Sequence, residues 1–137
     1  MNVLVDTSIW SLALRRSPIH EIPAEQRQQI QLLEELILAG RARLLGLVRQ
    51  ELLSGIKRQE QFVRLRGELR TFPDVELGGA DYERAAEMNN KCRSHGVSGN
   101  LTDYLICSVS SSRDWAIYTS DRDFDRYARH LDIKLYS

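Results

Sequence analysis

Four acidic side chains, Asp6, Glu51, Asp103 and Asp121, stand out as candidates for chemistry. If they converge, they cannot all stay ionised unaided, because two like charges about 4 Å apart repel by about 4 kcal/mol at an effective dielectric constant of about 20. The carboxylates then either take up protons or bind a cation. Oxygen donors without His or Cys suit a hard cation such as Mg²⁺ or Mn²⁺, which favours hydrolysis of phosphodiester bonds by a metal-activated water.

Asp6 and Asp121 each follow a predicted β-strand. The strand Asn2–Val5 ends directly before Asp6, and the apolar strand Trp115–Tyr118 ends shortly before Asp121. Ligands of open parallel sheets bind beyond the carboxyl ends of the strands, so we expect both acids at one edge of the sheet. Asp is also a favoured N-cap and both residues precede predicted helices, so helix capping is the alternative explanation.

Glu51 lies in a predicted helix from Leu47 to Gly55. At about 100° per residue, its side chain falls between those of Leu47 and Val48, on the apolar face of the helix. Buried acids are seldom left uncompensated, so Glu51 needs a partner. That partner is either a bound cation or an arginine in an ordinary ion pair.

Asp103 lies in the first turn of a predicted helix that runs from Leu101 to about Ser111. Its apolar residues, which include Leu101 and Leu105, predict that the helix is buried. The first turn then lies near the sheet edge that carries Asp6. Asn100 precedes Asp103 by three residues, so an arrangement like a capping box is the alternative explanation.

The remaining pattern predicts an α/β fold in one domain, residues 1–137. A chain of 137 residues buries one core, and alternating strands and helices indicate a mainly parallel sheet of four to five strands between two helical layers. The other predicted helices are Thr7–Arg16, Pro23–Ala39, Gln59–Arg70, Gly79–Gly96 and a short one through Phe124 and Tyr127. The other predicted strands are Arg41–Leu45, a weak one at Phe72–Leu77, and Ile133–Tyr136.

Charge is balanced overall but uneven along the chain. Lys plus Arg and Asp plus Glu each total 19, so the formal net charge is zero and exerts no long-range pull on nucleic acid. From Arg41 to Arg70, however, eight basic residues face three acidic ones, whereas from Thr71 onward eight basic residues face eleven acidic ones. The basic segment could attract phosphate, or the charges could simply cover solvated helix faces.

Other classes of protein find little support in the sequence. Cys92 and Cys107 have no zinc-ligand or disulfide spacing, no nucleotide-binding glycine loop is present, and neither Ser8 nor the serines after Cys107 have a nearby histidine. The N-terminus does not resemble a signal peptide, and no apolar run is long enough to cross a membrane. We therefore expect a cytoplasmic protein that does not use ATP.

Four motifs, in this order and spacing, resemble those of PIN-domain ribonucleases, above all the VapC toxins of toxin–antitoxin pairs. They are Val5-Asp6-Thr7-Ser8, Glu51-Leu52-Leu53-Ser54-Gly55, the run from Ala85 through Gly96 to Asp103-Tyr104-Leu105-Ile106, and Thr119-Ser120-Asp121-Arg122-Asp123-Phe124. The resemblance covers nearly the whole chain and implies a PIN-like α/β/α fold. It also implies that the four acids named first form the catalytic quartet that binds Mg²⁺ or Mn²⁺.

The resemblance extends to supporting residues and partners. Asp123 matches an additional acid of the metal site, and Thr7 or Ser8 matches a small residue whose hydroxyl contacts a metal water or phosphate. The implied activity is endonucleolytic cleavage of tRNA, ribosomal RNA or mRNA, leaving 5′-phosphate and 3′-hydroxyl ends. The implied partners are a second copy of the chain, as a homodimer, and a VapB-like antitoxin.

Six basic residues are candidates for contacts with the RNA backbone, since Lys and Arg dominate phosphate binding. They are Arg49, Lys57, Arg58, Arg64, Arg66 and Arg70. The alternative is that they are solvent-exposed helix charges paired with Glu60 and Glu68.

Two other functions remain as alternatives. A phosphoacceptor module also gathers aspartates at a sheet edge, but it needs a lysine after a late strand, and Lys134 lies inside the last predicted strand. A catalytically inactive PIN-fold protein that binds RNA or acts as a scaffold is the other, although all four acids are present.

Overall fold

The computed structural model describes residues 1–14 and 19–137. One parallel sheet has the strand order β2-β1-β3-β4, and the described residues form seven α-helices around it. The strands are β1 (Val3–Val5), β2 (Ala42–Arg43), β3 (Ala116–Tyr118) and β4 (Lys134–Leu135). The helices are α1 (Thr7–Leu14), α2 (Ala24–Leu38), α3 (Gly46–Leu53), α4 (Gln59–Leu69), α5 (Gly79–Ser94), α6 (Leu101–Arg113) and α7 (Asp123–Ala128), with a 3-10 turn at Ile19–Glu21. The predicted α/β/α fold is confirmed, with four strands.

Strands β1 and β3 form the centre of the sheet, and every residue in them is buried. Such continuous apolar strands are typical of a parallel sheet covered on both faces. Val3 pairs with Ala116 and Val5 with Tyr118 in a parallel register. The chain therefore leaves both strands side by side, which brings the segments after Val5 and Tyr118 together at the carboxyl edge.

Helix α6 is the most deeply buried helix, with every residue from Asp103 to Ser110 buried. It leads directly into β3, so its first turn lies at the carboxyl edge of the sheet. Asn100 begins the helix, because its side-chain oxygen accepts a hydrogen bond of 2.8 Å from the backbone N–H of Asp103. Leu101 departs from the prediction: it is 76% exposed, because it precedes the turn that enters the core.

The weak strand predicted at Phe72–Leu77 does not form. Asp74 makes only an isolated bridge with Leu44, and strand β2 is correspondingly short. Pro73 has no N–H to donate to a ladder. The carbonyl groups of Leu69 and Phe72 instead accept hydrogen bonds from the Arg49 side chain. The Arg49 side chain thus satisfies the carbonyl of Phe72, the first residue of the predicted strand, as well as that of Leu69 at the end of α4.

Two further findings concern the predicted helices. The end of the first predicted helix, at Arg15 and Arg16, lies outside the described residues. Among the residues that the structure does describe, none of the helices combines the length and the hydropathy needed to cross a bilayer.

Candidate active site

Asp6 joins the ends of the two central strands. Its backbone N–H donates to the Tyr118 carbonyl at 2.9 Å, and its buried carboxylate accepts from the hydroxyls of Ser8 at 2.8 Å and Thr119 at 2.9 Å. The Asp6 carbonyl also accepts from the N–H of Ile9, so the residue begins helix α1 as the capping explanation predicts. The carboxylate takes a small part in capping, through a longer bond of 3.4 Å from the backbone N–H of Ser8, but its shorter bonds come from the two hydroxyl groups at the sheet edge.

The loop after β3 is ordered by a short series of hydrogen bonds. The Thr119 hydroxyl, which donates to Asp6, also accepts from the N–H of Asp121 at 3.0 Å. The Asp121 carboxylate accepts from the N–H of Asp123 at 2.9 Å, and the N–H of Ser120 donates to the Ser8 hydroxyl at 3.0 Å. Ser8 therefore holds the site loops together rather than presenting a free hydroxyl.

Asp103 is a buried carboxylate whose hydrogen-bond partner is the hydroxyl of Tyr127, which donates at 2.7 Å. Within residues 1–14 and 19–137, no salt bridge reaches it. The pKa of Asp103 is raised to about 6, mainly by burial and also by the charges of Asp6, Asp121 and Asp123, although the Tyr127 hydrogen bond opposes the rise. A nearby cation would therefore stabilise the ionised form of the Asp103 carboxylate.

A capping box does not account for the Asp103 side chain. Asn100 caps helix α6 with its side chain, but the carboxylate of Asp103 is bound by Tyr127. Burial and the hydrogen bond to Asp103 also raise the pKa of Tyr127, so its hydroxyl keeps its proton and remains a donor.

Asp103, Asp121 and Asp123 form the tightest acidic group among the described residues. Each offers one carboxylate oxygen, and the three oxygens lie within 4.8 Å of one another. Asp123 also accepts from Arg126, one helical turn later, at 2.7 Å. Asp6 lies outside this group of three, yet its charge contributes to the raised pKa of Asp103. The acids of three separate segments thus meet at one edge of the sheet.

Glu51 is near the site but is not buried. The helical wheel places it on an apolar face, whereas the structure shows an exposed residue, because Val48 is the residue that the short helix α3 buries. Its carboxylate accepts from the Thr7 hydroxyl at 3.2 Å, so neither an arginine nor burial determines its position. The contact holds Glu51 against the first turn of α1, directly after Asp6. The Thr7 hydroxyl, like that of Ser8, therefore forms a hydrogen bond with one of the acidic side chains of the protein.

Arg49 has a structural role that speaks against the predicted contact with RNA. Its guanidinium donates to the Asp74 carboxylate at 2.9 Å and to the carbonyls of Leu69 and Phe72 at 3.0 and 2.6 Å. These bonds attach helix α3 to the end of α4 and to the segment that follows it, and they leave little of the side chain for an external phosphate.

The other five basic candidates remain accessible to different degrees. Arg66 is half-buried, with its guanidinium 5.8 Å from the centre of the Phe62 ring. Arg58 makes an exposed ion pair of 3.8 Å with Glu60, a contact of the kind that the alternative explanation expects. The exposed residues of the set are Lys57, Arg58, Arg64 and Arg70.

Thr119 and Tyr127 are residues of the site that the sequence did not single out. Thr119 follows strand β3 directly, and its place beside Asp6 follows once β1 and β3 are known to be neighbours. Tyr127 carries no such signal, because its spacing from Phe124 indicates only a buried helix face. Its contact with Asp103 depends on how α7 packs against α6.

The fold and the site together define an α/β protein with a candidate metal centre at the carboxyl edge of its parallel sheet. The family model of the PIN domain matches residues 3–130, and the chain belongs to that family. The resemblance inferred from the four motifs is therefore confirmed. No curated protein matches the sequence.

Solved structures of low sequence identity share the fold. The complex FitAcB from Neisseria gonorrhoeae is 18% identical with a TM-score of 0.76, and the match covers 98% of this chain and 96% of that one. VapBC2 from Rickettsia felis, bound to a promoter DNA fragment, is 18% identical with a TM-score of 0.71, covering 99% and 98%. DNA-bound VapBC from Salmonella typhimurium is 13% identical with a TM-score of 0.74, covering 99% and 97%.

Proposed function

We propose that this protein is a divalent-metal-dependent endoribonuclease that acts as the toxin of a toxin–antitoxin pair. Proteins of the PIN domain family are typically metal-dependent nucleases. The observation that carries the proposal is the buried carboxylate of Asp103, which accepts a hydrogen bond from a neutral donor, lies among other acids and forms no salt bridge with the described residues, although Arg126 pairs with Asp123. Such a group is costly unless an external cation binds beside it.

The chemistry of the donor set fits Mg²⁺ or Mn²⁺. The nearest ligand atoms are carboxylate oxygens of Asp103, Asp121 and Asp123, and hard divalent cations prefer such oxygens. We assign these three residues to the metal, together with Asp6 and Glu51 as the remaining members of the acidic set. A bound metal ion would lower the pKa of a water molecule and offset the negative charge that develops on the phosphate.

The protein's own groups position the acids and exclude competing contacts. The hydroxyls of Ser8 and Thr119 hold Asp6, and the backbone N–H groups of Asp121 and Asp123 fix the loop that follows β3. This ordering lowers the entropic cost of assembling the site around a cation. Without a cation, the same carboxylates repel the phosphates of RNA, so metal binding and substrate binding are expected to be coupled.

Five basic side chains are proposed to contact the RNA backbone away from the acids. They are Lys57, Arg58, Arg64, Arg66 and Arg70, which follow α3 or lie along and after α4. Charge of this kind supplies affinity for phosphate without reading the base sequence.

The partners are proposed from the similar solved structures, which include VapBC and FitAB assemblies and a toxin–antitoxin complex. We infer that a VapB-like antitoxin binds this chain, that the chain forms a homodimer as a single domain of residues 1–137, and that it acts in the cytoplasm on tRNA, ribosomal RNA or mRNA.

The phosphoacceptor alternative requires a lysine that contacts the phosphorylated acid, and Lys134 does not fill that role. Lys134, the lysine that would have to reach the phosphorylated acid, makes a 2.5 Å contact with the carboxylate of Asp114. Asp114 ends helix α6, at the opposite end of that helix from Asp103.

The test is an RNA cleavage assay with purified protein. Total RNA is incubated with the protein and Mg²⁺, Mn²⁺ or EDTA, and the new ends are mapped by sequencing with and without phosphatase treatment. The expected result is cleavage with either metal, none with EDTA, and products that carry 5′-phosphates. Cleavage that persists in EDTA, or RNA that stays intact with both metals, would contradict the proposal.

A further inference from the structure

Tyr127 is fully buried, and its hydroxyl donates a 2.7 Å hydrogen bond to Oδ2 of Asp103. Its ring lies 5.2 Å from that of Phe124 on the same helix, measured between ring centres. Tyr127 also lies one helical turn after Asp123 on α7. The hydrogen bond therefore joins α6 and α7, the two helices that carry Asp103 and Asp123.

We propose that Tyr127 is a positioning residue that fixes the carboxylate of Asp103 for metal binding, and that Gly99 is required to leave room for the tyrosine hydroxyl. The proposal rests on the function proposed above and adds residues that act through Asp103 rather than on RNA.

The chemistry of the donor explains why a tyrosine suits this position. A hydroxyl fixes the orientation of a carboxylate without neutralising its charge, so the full negative charge remains available to a cation. An arginine in the same place would fix the carboxylate equally well but would itself supply the positive charge. Neutral hydrogen-bond partners of metal ligands are a common means of orienting them, and their loss typically reduces metal affinity or activity by about 10–100-fold.

Gly99 provides independent support for a tight fit around the hydroxyl. A Cβ atom at this position would lie 2.3 Å from the Tyr127 hydroxyl oxygen, and 2.7 and 2.8 Å from Cζ and Cε1 of the ring. The backbone of Gly99 is not in the left-handed region, unlike that of Gly40, Gly55 and Gly96. Space around the tyrosine, rather than backbone conformation, therefore requires glycine here.

The test compares two tyrosines that differ in what their hydroxyls do. Tyr127→Phe removes the donor to Asp103 and keeps the ring. Tyr104→Phe is the matched control, since Tyr104 is equally buried and, in the described part of the chain, its hydroxyl has no hydrogen-bond partner. Mn²⁺ affinity of the folded proteins is measured by electron paramagnetic resonance well below the melting temperature, and RNA cleavage is measured at saturating Mn²⁺.

We expect Tyr127→Phe to weaken Mn²⁺ binding or to lower kcat by about 10–100-fold, while Tyr104→Phe changes neither by more than about twofold. Equal Mn²⁺ affinity and equal kcat in Tyr127→Phe and the wild type would overturn the proposal, even if the variant melts at a lower temperature. A wild type that binds Mn²⁺ but leaves RNA intact would instead overturn the proposed function, and the Mn²⁺ measurement would still decide the role of Tyr127.

Gly99 is tested by a second pair of variants. Gly99→Ala is expected to displace the Tyr127 hydroxyl and to weaken Mn²⁺ binding in the same direction. Gly79→Ala is the control, because nothing lies within 4 Å of a Cβ added there. If Gly99→Ala keeps the Mn²⁺ affinity of the control, then the proposed role of Gly99 is wrong.

Discussion

Asp81 and Asp103 are two buried carboxylates, 7% and 6% exposed, that the protein treats in opposite ways. Asp81 accepts two hydrogen bonds from Arg113, at 2.8 and 3.1 Å, and a longer one from Arg84. These arginines, Arg113 above all, hold the pKa of Asp81 well below its usual range against the effect of burial. Asp103 has a tyrosine and three acids as neighbours, and its pKa is raised to about 6.

The difference separates a structural carboxylate from one that is kept available. Arg113 also donates to the Glu76 carbonyl at 2.7 Å, so Asp81 attaches the start of α5 to the end of α6 and to the preceding segment. Its charge is neutralised within the protein. At the other end of α6, the charge of Asp103 is oriented but not neutralised, which is of use only if a cation comes from outside.

The largest expected effect is on catalysis at the uncompensated acid. Asp103→Asn should lower metal-dependent RNA cleavage by about 100-fold or more, because the substitution keeps the shape of the side chain and removes its charge. The rate is measured under single-turnover conditions in Mg²⁺, and circular dichroism verifies folding. Cleavage within about threefold of the wild type would remove Asp103 from the metal site.

The next effect is on stability at the compensated acid. Asp81→Asn should lower the free energy of unfolding by about 2–4 kcal/mol, because it leaves Arg113 partly buried without its counter-ion. Cleavage per folded molecule should stay near that of the wild type. Urea denaturation followed by circular dichroism measures the change. A fully stable Asp81→Asn protein would show that the arginine network does not contribute to holding α5 and α6 together.

The pH dependence of stability should differ in sign between the two acids. In EDTA, the raised pKa of Asp103 means that the folded state binds more protons between about pH 4 and pH 6, so this group lowers stability as pH rises through that window. The free energy of unfolding of Asp103→Asn should therefore match that of the wild type below about pH 4 and exceed it above about pH 6, by on the order of 3 kcal/mol.

Asp81 should behave in the opposite way. Its lowered pKa adds stability above about pH 4, and that contribution is lost as pH falls toward the pKa of the folded state. The gap between the wild type and Asp81→Asn should thus narrow in acid. Urea titrations from pH 3 to pH 8 test both acids, and parallel curves for all three proteins would rule out the contrast.

The sequence predicted the positions that depend on topology better than those that depend on side-chain packing. Asp6 and Asp121 follow strands, and parallel strands that pair in register bring their carboxyl ends together, so the edge of the sheet could be predicted. The position of the first turn of α6 could be predicted for the same reason. The helix must end at the amino edge of the sheet, where β3 begins, so it starts at the carboxyl edge.

Packing between helices could not be predicted in the same way. Tyr127 meets Asp103 because α7 docks on α6, and a buried-face pattern in a helix of six residues does not specify its neighbour. Glu51 shows the related limit of a helical wheel, which orders residues around an axis but does not show how much of α3 the core covers. Arg49 was assigned by charge alone, although its role lies in the backbone carbonyls it binds.

The smallest expected effect is on RNA binding by the basic residues. Arg64 and Arg66 are accessible to RNA, whereas the Arg49 side chain is bound within the protein. The double substitution Arg64→Gln and Arg66→Gln should weaken binding of single-stranded RNA several-fold. It should also make the slope of log K against log salt shallower by about 1.4, that is about 0.7 for each charge removed. Arg49→Gln is the control. In the wild type the Arg49 guanidinium is engaged with Asp74 and two carbonyls, so this substitution should lower the stability of the fold and leave the salt slope unchanged.

Binding is measured by fluorescence anisotropy in Ca²⁺ at several salt concentrations. A slope that stays the same in the double variant would assign Arg64 and Arg66 to the solvated face of α4.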